Sequence, residues 1–552
     1  MTKPASKQHI VDLANILRKN AISRIIICPG SRNAPLIQVF ERDSYFSCYS
    51  IVDERSAGYV ALGMAKQAGE AVAVVTTSGT AALNLAPAVA EAFHQKIPLV
   101  VLTADRPEEW PPQFGNQRIN QDDIFLKNSK SSYSLPPEIV SSEELKKVGM
   151  NISRIIHSAK TTPKGPVHIN VPLHEPLYDV LPGLFVPEMK ENPKLVKEND
   201  YNVEDTDLEE IYDSLLSEER VLIVAGMQTY SSKEKDLLEA LAARFQVTIL
   251  AENLANLSPE SCISSPERVL GSLDENFKEL LQPELVVTFG GQVVSKKCRL
   301  FIQNLKDIPV RSLDRVPTRI FEDLLRTPNG DPGNSNRYLS LWKTFEASSQ
   351  KRAESFFENA DFCNLTACSR ILDITPSGYH VHFGNSGTIR YSQLKNSRPD
   401  LVYYANRGTS GIDGSLSTAV GSAMVSEAQH LIILGDLSFV YDSNALWNAE
   451  FPQNLKIIVL NDQGGGIFRL LDGPDRMSFF DKFSVTSHPV SLKSLSEAFG
   501  IQYLQAKNYH ELNNQLENLF FNIPGHVLLE VDTSQCENSS IFKMFYKSIH
   551  NQ

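Results

Sequence analysis

Nothing in this 552-residue chain approaches the ~20 consecutive apolar residues that cross a bilayer, so no membrane span is expected. The opening residues MTKPASKQHIVDLANILRKN lack the unbroken apolar core of a signal peptide and read as an amphipathic helix, so a cytoplasmic protein is expected. Cysteine is sparse. The seven, at positions 28, 48, 262, 298, 363, 368 and 536, form no CxxC pair and show no metal-finger spacing, so neither a disulfide framework nor a structural zinc site is indicated. A basic excess is also missing: the formal net charge is −12, against the basic face that general nucleic-acid binding needs. If the ligands are anions, the cations that bind them must be concentrated locally.

What the chain does have is a succession of short aliphatic runs that end at Gly, Ser or Asp: RIIICPG, AVAVVTTSG, PLVVLTAD, VLIVAG, LVVTFGG, HLIILGD and LKIIVLND. Runs that are apolar throughout, without period-two alternation, read as strands buried on both faces, and the helical patterns between them imply an α/β fold of parallel sheets flanked by helices. Polar, turn-rich stretches at 186–205 and 327–337 divide the chain into three expected domains, 1–185, 200–330 and 355–552, with a helical connection at 338–360. An offset of 358 residues (421 − 63) lays VALGMAKQAGEAVAVVTTSG of the first domain over STAVGSAMVSEAQHLIILGD of the third. Each segment reads as a small-residue helix, a connector, a buried strand and a polar turn, as a duplication would leave.

The chemistry concentrates at two turns of the third domain. Gly435-Asp436-Leu437-Ser438 follows the strand HLIIL, and Asn461-Asp462-Gln463-Gly464 follows LKIIVL, with 26 residues between the acids (462 − 436). Both acids therefore emerge at carboxyl ends of strands, where open α/β sheets bind ligands. Asp436, Asp462 and the Gly464 carbonyl offer hard oxygens to a divalent cation such as magnesium or manganese, which takes its remaining ligands from water and phosphates. A helix from about Ser443 could add N-terminal amides for a phosphate. Either turn alone also fits an ordinary strand-to-helix connection.

As a pair, the two turns resemble the thiamine-diphosphate motif, which begins GDG and ends in two asparagines. Leu437 and Asp462 depart from it. Asp462 keeps an oxygen ligand and makes the site one unit more negative, which favours the metal over the diphosphate. A thiamine enzyme also needs a carboxyl group against the aminopyrimidine ring, to promote removal of the thiazolium C2 proton. Glu54 in YSIVDERSAGYVALGMAK is the candidate, since it follows an apolar pair and opens a small-residue helix; burial there would raise its pKa.

CPGSRNAPL (28–36), DERSAGYVALGMAK (53–66), TSGTAALNLAPAVAEA (77–92), TADRP (103–107), GNQ (115–117), GPVHINVPLHEPL (165–177), NRGTSGIDG (406–414) and NDQGGGIF (461–468) together resemble the 2-succinyl-5-enolpyruvyl-6-hydroxy-3-cyclohexene-1-carboxylate synthase family of menaquinone or phylloquinone biosynthesis. The resemblance spans all three domains. It implies decarboxylation of 2-oxoglutarate on thiamine diphosphate and addition of the succinic-semialdehyde carbanion to isochorismate. It also implies a homodimer or homotetramer whose active sites lie at subunit interfaces.

Both reactants are dianions, which fits arginines placed at strand-end turns; arginine binds carboxylate bidentately and stays charged when desolvated. Position by position, the resemblance puts Ser31, Arg32, Arg106 and Gln117 on the acceptor side and gives Arg390 and Arg407 to substrate carboxylates. It places Ser386 near diphosphate and substrate. Lys296 matches a family lysine, whereas Lys297 stands where the family has arginine. Ile412 matches the residue that wedges between the cofactor's rings, Gly435, Leu437 and Ser438 fall in the diphosphate motif, and Phe468 matches a cavity-lining residue.

No histidine is expected to be a general base; His94, His168, His174 and His382 border apolar segments and read as structural. Two other functions are weighed. An acetolactate-synthase-like carboligase would usually carry a flavin site in its middle domain, and VLIVAGM (221–227) lacks a Gly-rich dinucleotide turn. A non-catalytic cofactor-binding regulator would have no need to keep Glu54, Asp436 and Asp462 together.

Overall fold

The computed structural model describes residues 7–107, 116–179, 213, 220–227, 232–245, 247–312, 322, 325, 335–470 and 476–550. The stretches 186–205 and 327–334, which carry the expected domain boundaries, and Gly115 of the GNQ motif lie outside the described residues.

The aliphatic runs become the strands of three parallel sheets. The first holds β1 (Arg24–Ile27), β2 (Ser47–Ser50), β3 (Val72–Thr76), β4 (Leu99–Asp105), β5 (Ser131–Ser134) and β6 (Val167–Pro172), in the order β2-β1-β3-β4-β6-β5. The second holds β7 (Val221–Ala225), β8 (Thr248–Ala251), β9 (Leu285–Phe289) and β10 (Val310–Ser312), in the order β10-β9-β7-β8. The third holds β11 (His380–Phe383), β12 (Val402–Ala405), β13 (His430–Gly435), β14 (Leu455–Asn461), β15 (Gln502–Ala506) and β16 (Val527–Asp532), in the order β12-β11-β13-β14-β16-β15. Every residue of β3, β4 and β14 is buried, as expected of strands covered on both faces.

The first and third sheets have the same strand order, so the domains that carry them are related. Their equivalent strands keep the offset seen in the sequence: β3 begins at Val72 and β13 at His430, 358 residues apart (430 − 72). In each sheet the order reverses between the first and third strands of the set, β1/β3 and β11/β13. That reversal opens a crevice at the carboxyl ends where a ligand can enter.

By compactness the chain forms two units: 1–199 with 408–427 and 441–452, and 200–407 with 428–440 and 453–552. Inside the first unit, helix Glu54–Ala68 crosses its counterpart Ser415–Met424 at backbone contact. A Cβ on Gly63 would lie 2.0 Å from the Thr418 carbonyl oxygen, and one on Gly421 would lie 2.0 Å from that of Val60. The glycines that align in the sequence are thus the two that let these helices touch. Ser56 Oγ and Ser417 Oγ share a 2.8 Å hydrogen bond across the crossing.

Inside the second unit, the expected connecting helix runs Ser335–Asn359, and Arg352 Nε donates to the Ile549 carbonyl at 2.7 Å. Ile541, Phe545 and Ile549 of the last helix, Asn538–Ile549, are buried in the core of the third sheet. All seven cysteines are free. Among the described residues no helix is long and apolar enough to cross a membrane.

Candidate active site

At the carboxyl ends of β1 and β3 a cavity of about 530 Å³ is lined by Ser31, Glu54, Asn84, Gln117 and Arg118, among others. Glu54 is half-buried in the first turn of its helix, where Asp53 accepts the Ser56 amide at 3.1 Å as the cap. Asn84 Nδ2 donates to Glu54 Oε2 at 3.3 Å. Three residues nominated from distant parts of the sequence, Ser31, Glu54 and Gln117, thus share one wall. Arg32 is turned away from that lining: its Nη1 donates to the Leu173 carbonyl at 2.9 Å and its Nη2 pairs with Glu175 at 3.1 Å. Burial and the nearby Arg106 push the pKa of Arg32 down, so the two guanidinium groups already strain against each other. Ile412 is half-buried in the loop after Gly408, whose amide donates to Glu91 at 2.7 Å.

At the carboxyl ends of β13 and β14, Asp436 is 2% exposed. Its Oδ1 accepts the Leu437 amide at 2.8 Å; its Oδ2 accepts the Gly464 amide at 2.7 Å and lies 3.0 Å from His488 Nε2. Burial and the neighbouring Asp436 push Asp462 up to about 7. Gly464 sits at φ 152°, and a Cβ there would fall 2.7 Å from the Val485 carbonyl oxygen, so the backbone can lie close under the two acids only as glycine.

A buried carboxylate that raises the pKa of a half-buried neighbour fits a divalent cation held by the two, which would relieve the repulsion. Among the described residues no three His, Cys, Asp or Glu side chains form a metal-holding group. Such a cation must therefore complete its shell with backbone and diphosphate oxygens. The helix expected from about Ser443 begins instead at Asp436 and ends at Tyr441; Ser443–Trp447 is a 3₁₀ turn. The amides beside the Gly435-Asp436 turn are consequently those of Leu437 and Ser438, because Asp436 itself opens the helix.

The second unit also holds a cavity of about 1000 Å³ that brings Arg390 together with Ser295, Lys296 and Lys297. Arg390 Nη1 donates to the carbonyl of Ser386, a non-glycine residue at φ 77°. Arg407 is buried and donates to Asn385 Oδ1 at 2.8 Å. Ile467 and Leu470 line this cavity; Phe468 is 39% exposed and is not part of the lining.

Residues 11–124 match the thiamine pyrophosphate enzyme N-terminal TPP binding domain, and residues 384–531 match the C-terminal TPP binding domain. The chain is 38% identical to the 2-succinyl-5-enolpyruvyl-6-hydroxy-3-cyclohexene-1-carboxylate synthase of Desulfotalea psychrophila, over 90% of this chain and 93% of that protein. It belongs to that synthase family. The Flavobacterium johnsoniae synthase is 35% identical over 99% of both chains, and the Porphyromonas gingivalis synthase is 34% identical over 99% of this chain and 98% of that one. Thiamine diphosphate is the cofactor that goes with these domains.

Two residues beside the candidate site escaped the motifs. His488 reaches Asp436 from the segment TSHPV, which has no strand before it and no recognisable spacing. Glu252, buried and pushed up to about 7, accepts the amides of Val294 at 2.7 Å and Ser295 at 2.5 Å, and so fixes the Ser-Lys-Lys turn. Its position just after β8 was the available signal. The histidines read as structural behave so where the bonds are seen: His168 Nε2 meets Thr103 Oγ1 at 2.8 Å, and burial lowers its pKa to about 4.

Proposed function

We propose that the chain decarboxylates 2-oxoglutarate with thiamine diphosphate and joins the remaining four-carbon unit to isochorismate, as its family name implies, within menaquinone biosynthesis. The observation that carries this reading is the pair of acids Asp436 and Asp462 at the ends of adjacent strands, the first raising the pKa of the second, in a chain whose two TPP binding domains are matched.

Residues 1–185 serve as the pyrimidine-binding domain, 200–330 as the central domain, and 355–552 as the diphosphate- and metal-binding domain. Asp436, Asp462 and the Gly464 carbonyl hold magnesium or manganese, with Gly435, Leu437 and Ser438 shaping the diphosphate turn. When bound, thiamine diphosphate supplies the carbon nucleophile that lets a 2-oxo acid lose carbon dioxide. Glu54 would offer its carboxyl to the pyrimidine for proton transfer, and Asn84 orients that carboxyl. Ile412 would pack against the cofactor. Arg390 and Lys296 take the donor's carboxylates, with Arg407 and Ser386 behind them. Ser31, Arg106 and Gln117 receive isochorismate, Arg32 joins them by exchanging its bonds to Leu173 and Glu175 for the substrate, and Phe468 borders the substrates. The protein works in the cytoplasm as a homo-oligomer, with each site completed by a second subunit.

One feature of the middle sheet speaks against a flavin there. A Cβ on Gly226, at the end of β7, would lie 1.9 Å from the Gly291 carbonyl oxygen, so the turns after β7 and β9 meet backbone to backbone where a dinucleotide would need room. The test is to incubate the protein with thiamine diphosphate, magnesium and 2-oxoglutarate, with and without isochorismate, and to identify products by mass. The synthase product is expected only with both substrates; a protein that ignores isochorismate would leave only a general thiamine enzyme.

A further inference from the structure

The cavity around Arg390 continues along the last helix, Asn538–Ile549, which adds Lys543 and Lys547 to its wall. Three acids line the same space, and each is held by a hydrogen bond or a salt bridge within the protein. Glu267 accepts from Tyr546 Oη at 2.8 Å, Ser295 Oγ at 2.6 Å and the Lys297 amide at 3.0 Å. Asp274 accepts the Phe277 amide at 2.9 Å, and Glu275 pairs with Lys278 at 2.6 Å. Lys296, Lys543 and Lys547, by contrast, form no ion pair with any described residue. A chain of formal charge −12 thus places exposed, unpaired lysines along the wall of one open cavity.

We propose that Lys543 and Lys547 of the last helix form a second anion subsite, which gathers an aliphatic dicarboxylate at the cavity wall before Arg390 and Lys296 take it. The proposal rests on the reading of Arg390 as a donor-side cation. An acidic surface repels a dianion at long range, and a cluster of unpaired cations in a concave site offsets this by raising the local ligand concentration. Such an effect acts on encounter, so it belongs to kcat/KM and not to kcat. It also fades as salt shortens the screening length.

The test uses the holoenzyme and a Lys543→Gln/Lys547→Gln double variant, with steady-state decarboxylation measured at low and high ionic strength. At low salt the variant's kcat/KM for 2-oxoglutarate should fall about tenfold with kcat unchanged, and the gap should close at high salt. The monocarboxylate 2-oxopentanoate, of the same length, should be used equally well by both proteins. Equal losses on the two donors, or no loss at low salt, overturn the proposal. Calorimetric titration of glutarate into cofactor-free protein gives a second reading: the double variant should bind it at least about fivefold more weakly, and unchanged affinity overturns the subsite. If wild type binds glutarate through these lysines yet does not decarboxylate 2-oxoglutarate, the proposed function falls and the subsite stands.

Discussion

The first and third sheets share one strand order and finish their strands with opposite chemistry. β4 ends at Asp105 and is followed by Arg106; β14, in the equivalent place, ends at Asn461 and is followed by Asp462. After β3 come Thr77 and Ser78, whereas β13 runs into Asp436. The support beneath is alike in kind. In the first sheet a chain of hydrogen bonds joins Thr103 Oγ1 to Asn170 Oδ1 at 2.9 Å, Gln121 Nε2 to the same oxygen at 2.9 Å, and the Gly79 amide to Gln121 Oε1 at 2.8 Å, while Asn170 Nδ2 donates to the Asp105 carboxylate at 2.9 Å. In the third, Asn461 Nδ2 leans on the carboxylate Glu530 at 2.7 Å. Topology decides where a strand stops and opens a crevice. The residue placed there decides whether the crevice attracts a cation or an anion.

The sharpest way to break this contrast is to remove the acid from the third sheet. Asp436→Ala should abolish magnesium-dependent binding of thiamine diphosphate in calorimetric titration, since the site has few protein oxygens to lose. On the first sheet the matching experiment is Glu54→Gln. It should leave cofactor binding intact and lower turnover by about 10²–10⁴, the range for losing a positioned proton-transfer group. Wild-type turnover in a folded variant would remove Glu54 from the mechanism.

The helix crossing tests the duplicated part. Gly63→Ala and Gly421→Ala each push a methyl group into backbone and should each destabilise the fold by about 3 kcal/mol, measured by denaturant unfolding. A large effect at only one of them would show that the two helices are not equivalent partners. Arg32→Ala and Arg106→Ala should lower kcat/KM for isochorismate by about tenfold to a few hundredfold, as expected for one charge-assisted hydrogen bond. Decarboxylation of 2-oxoglutarate should move far less.

The smallest effect is one of pH. Asp442 accepts the Ser417 amide at 2.7 Å and Ser417 Oγ at 2.6 Å, and burial pushes its carboxyl up to about 7. The folded chain therefore holds a proton that the unfolded chain releases near pH 4, so its stabilising contribution is full below about pH 4 and is lost as pH rises through about 7. Asp442→Asn should flatten that part of the fall in Tm, and a variant with the wild-type slope would refute the assignment.

Much of this is legible in the sequence. Strands buried on both faces announce themselves as unbroken aliphatic runs, so the parallel sheets and the 358-residue offset could be read directly. The acids at strand ends followed from the same runs. The helix expected from about Ser443 starts earlier, because Asp436 turns its own carboxylate to the following amide at 2.8 Å. His488 and Tyr546 could not be foreseen, since each reaches its carboxylate through tertiary contact alone and lies in a segment without a motif. Arg32 could be nominated but not oriented. Its bonds to Leu173 and Glu175 join residues some 140 positions apart, and local pattern carries no information at that range.

The reciprocal contact between helices Glu54–Ala68 and Ser415–Met424 also sets a timetable for synthesis. The first helix leaves the ribosome 356 residues (424 − 68) before its partner is complete, a delay of roughly 18–70 s at typical elongation rates of about 5–20 residues per second. During that interval the contacts that Gly63 and Gly421 permit cannot form, so this part of the first unit is completed only once residues 415–424 have been made.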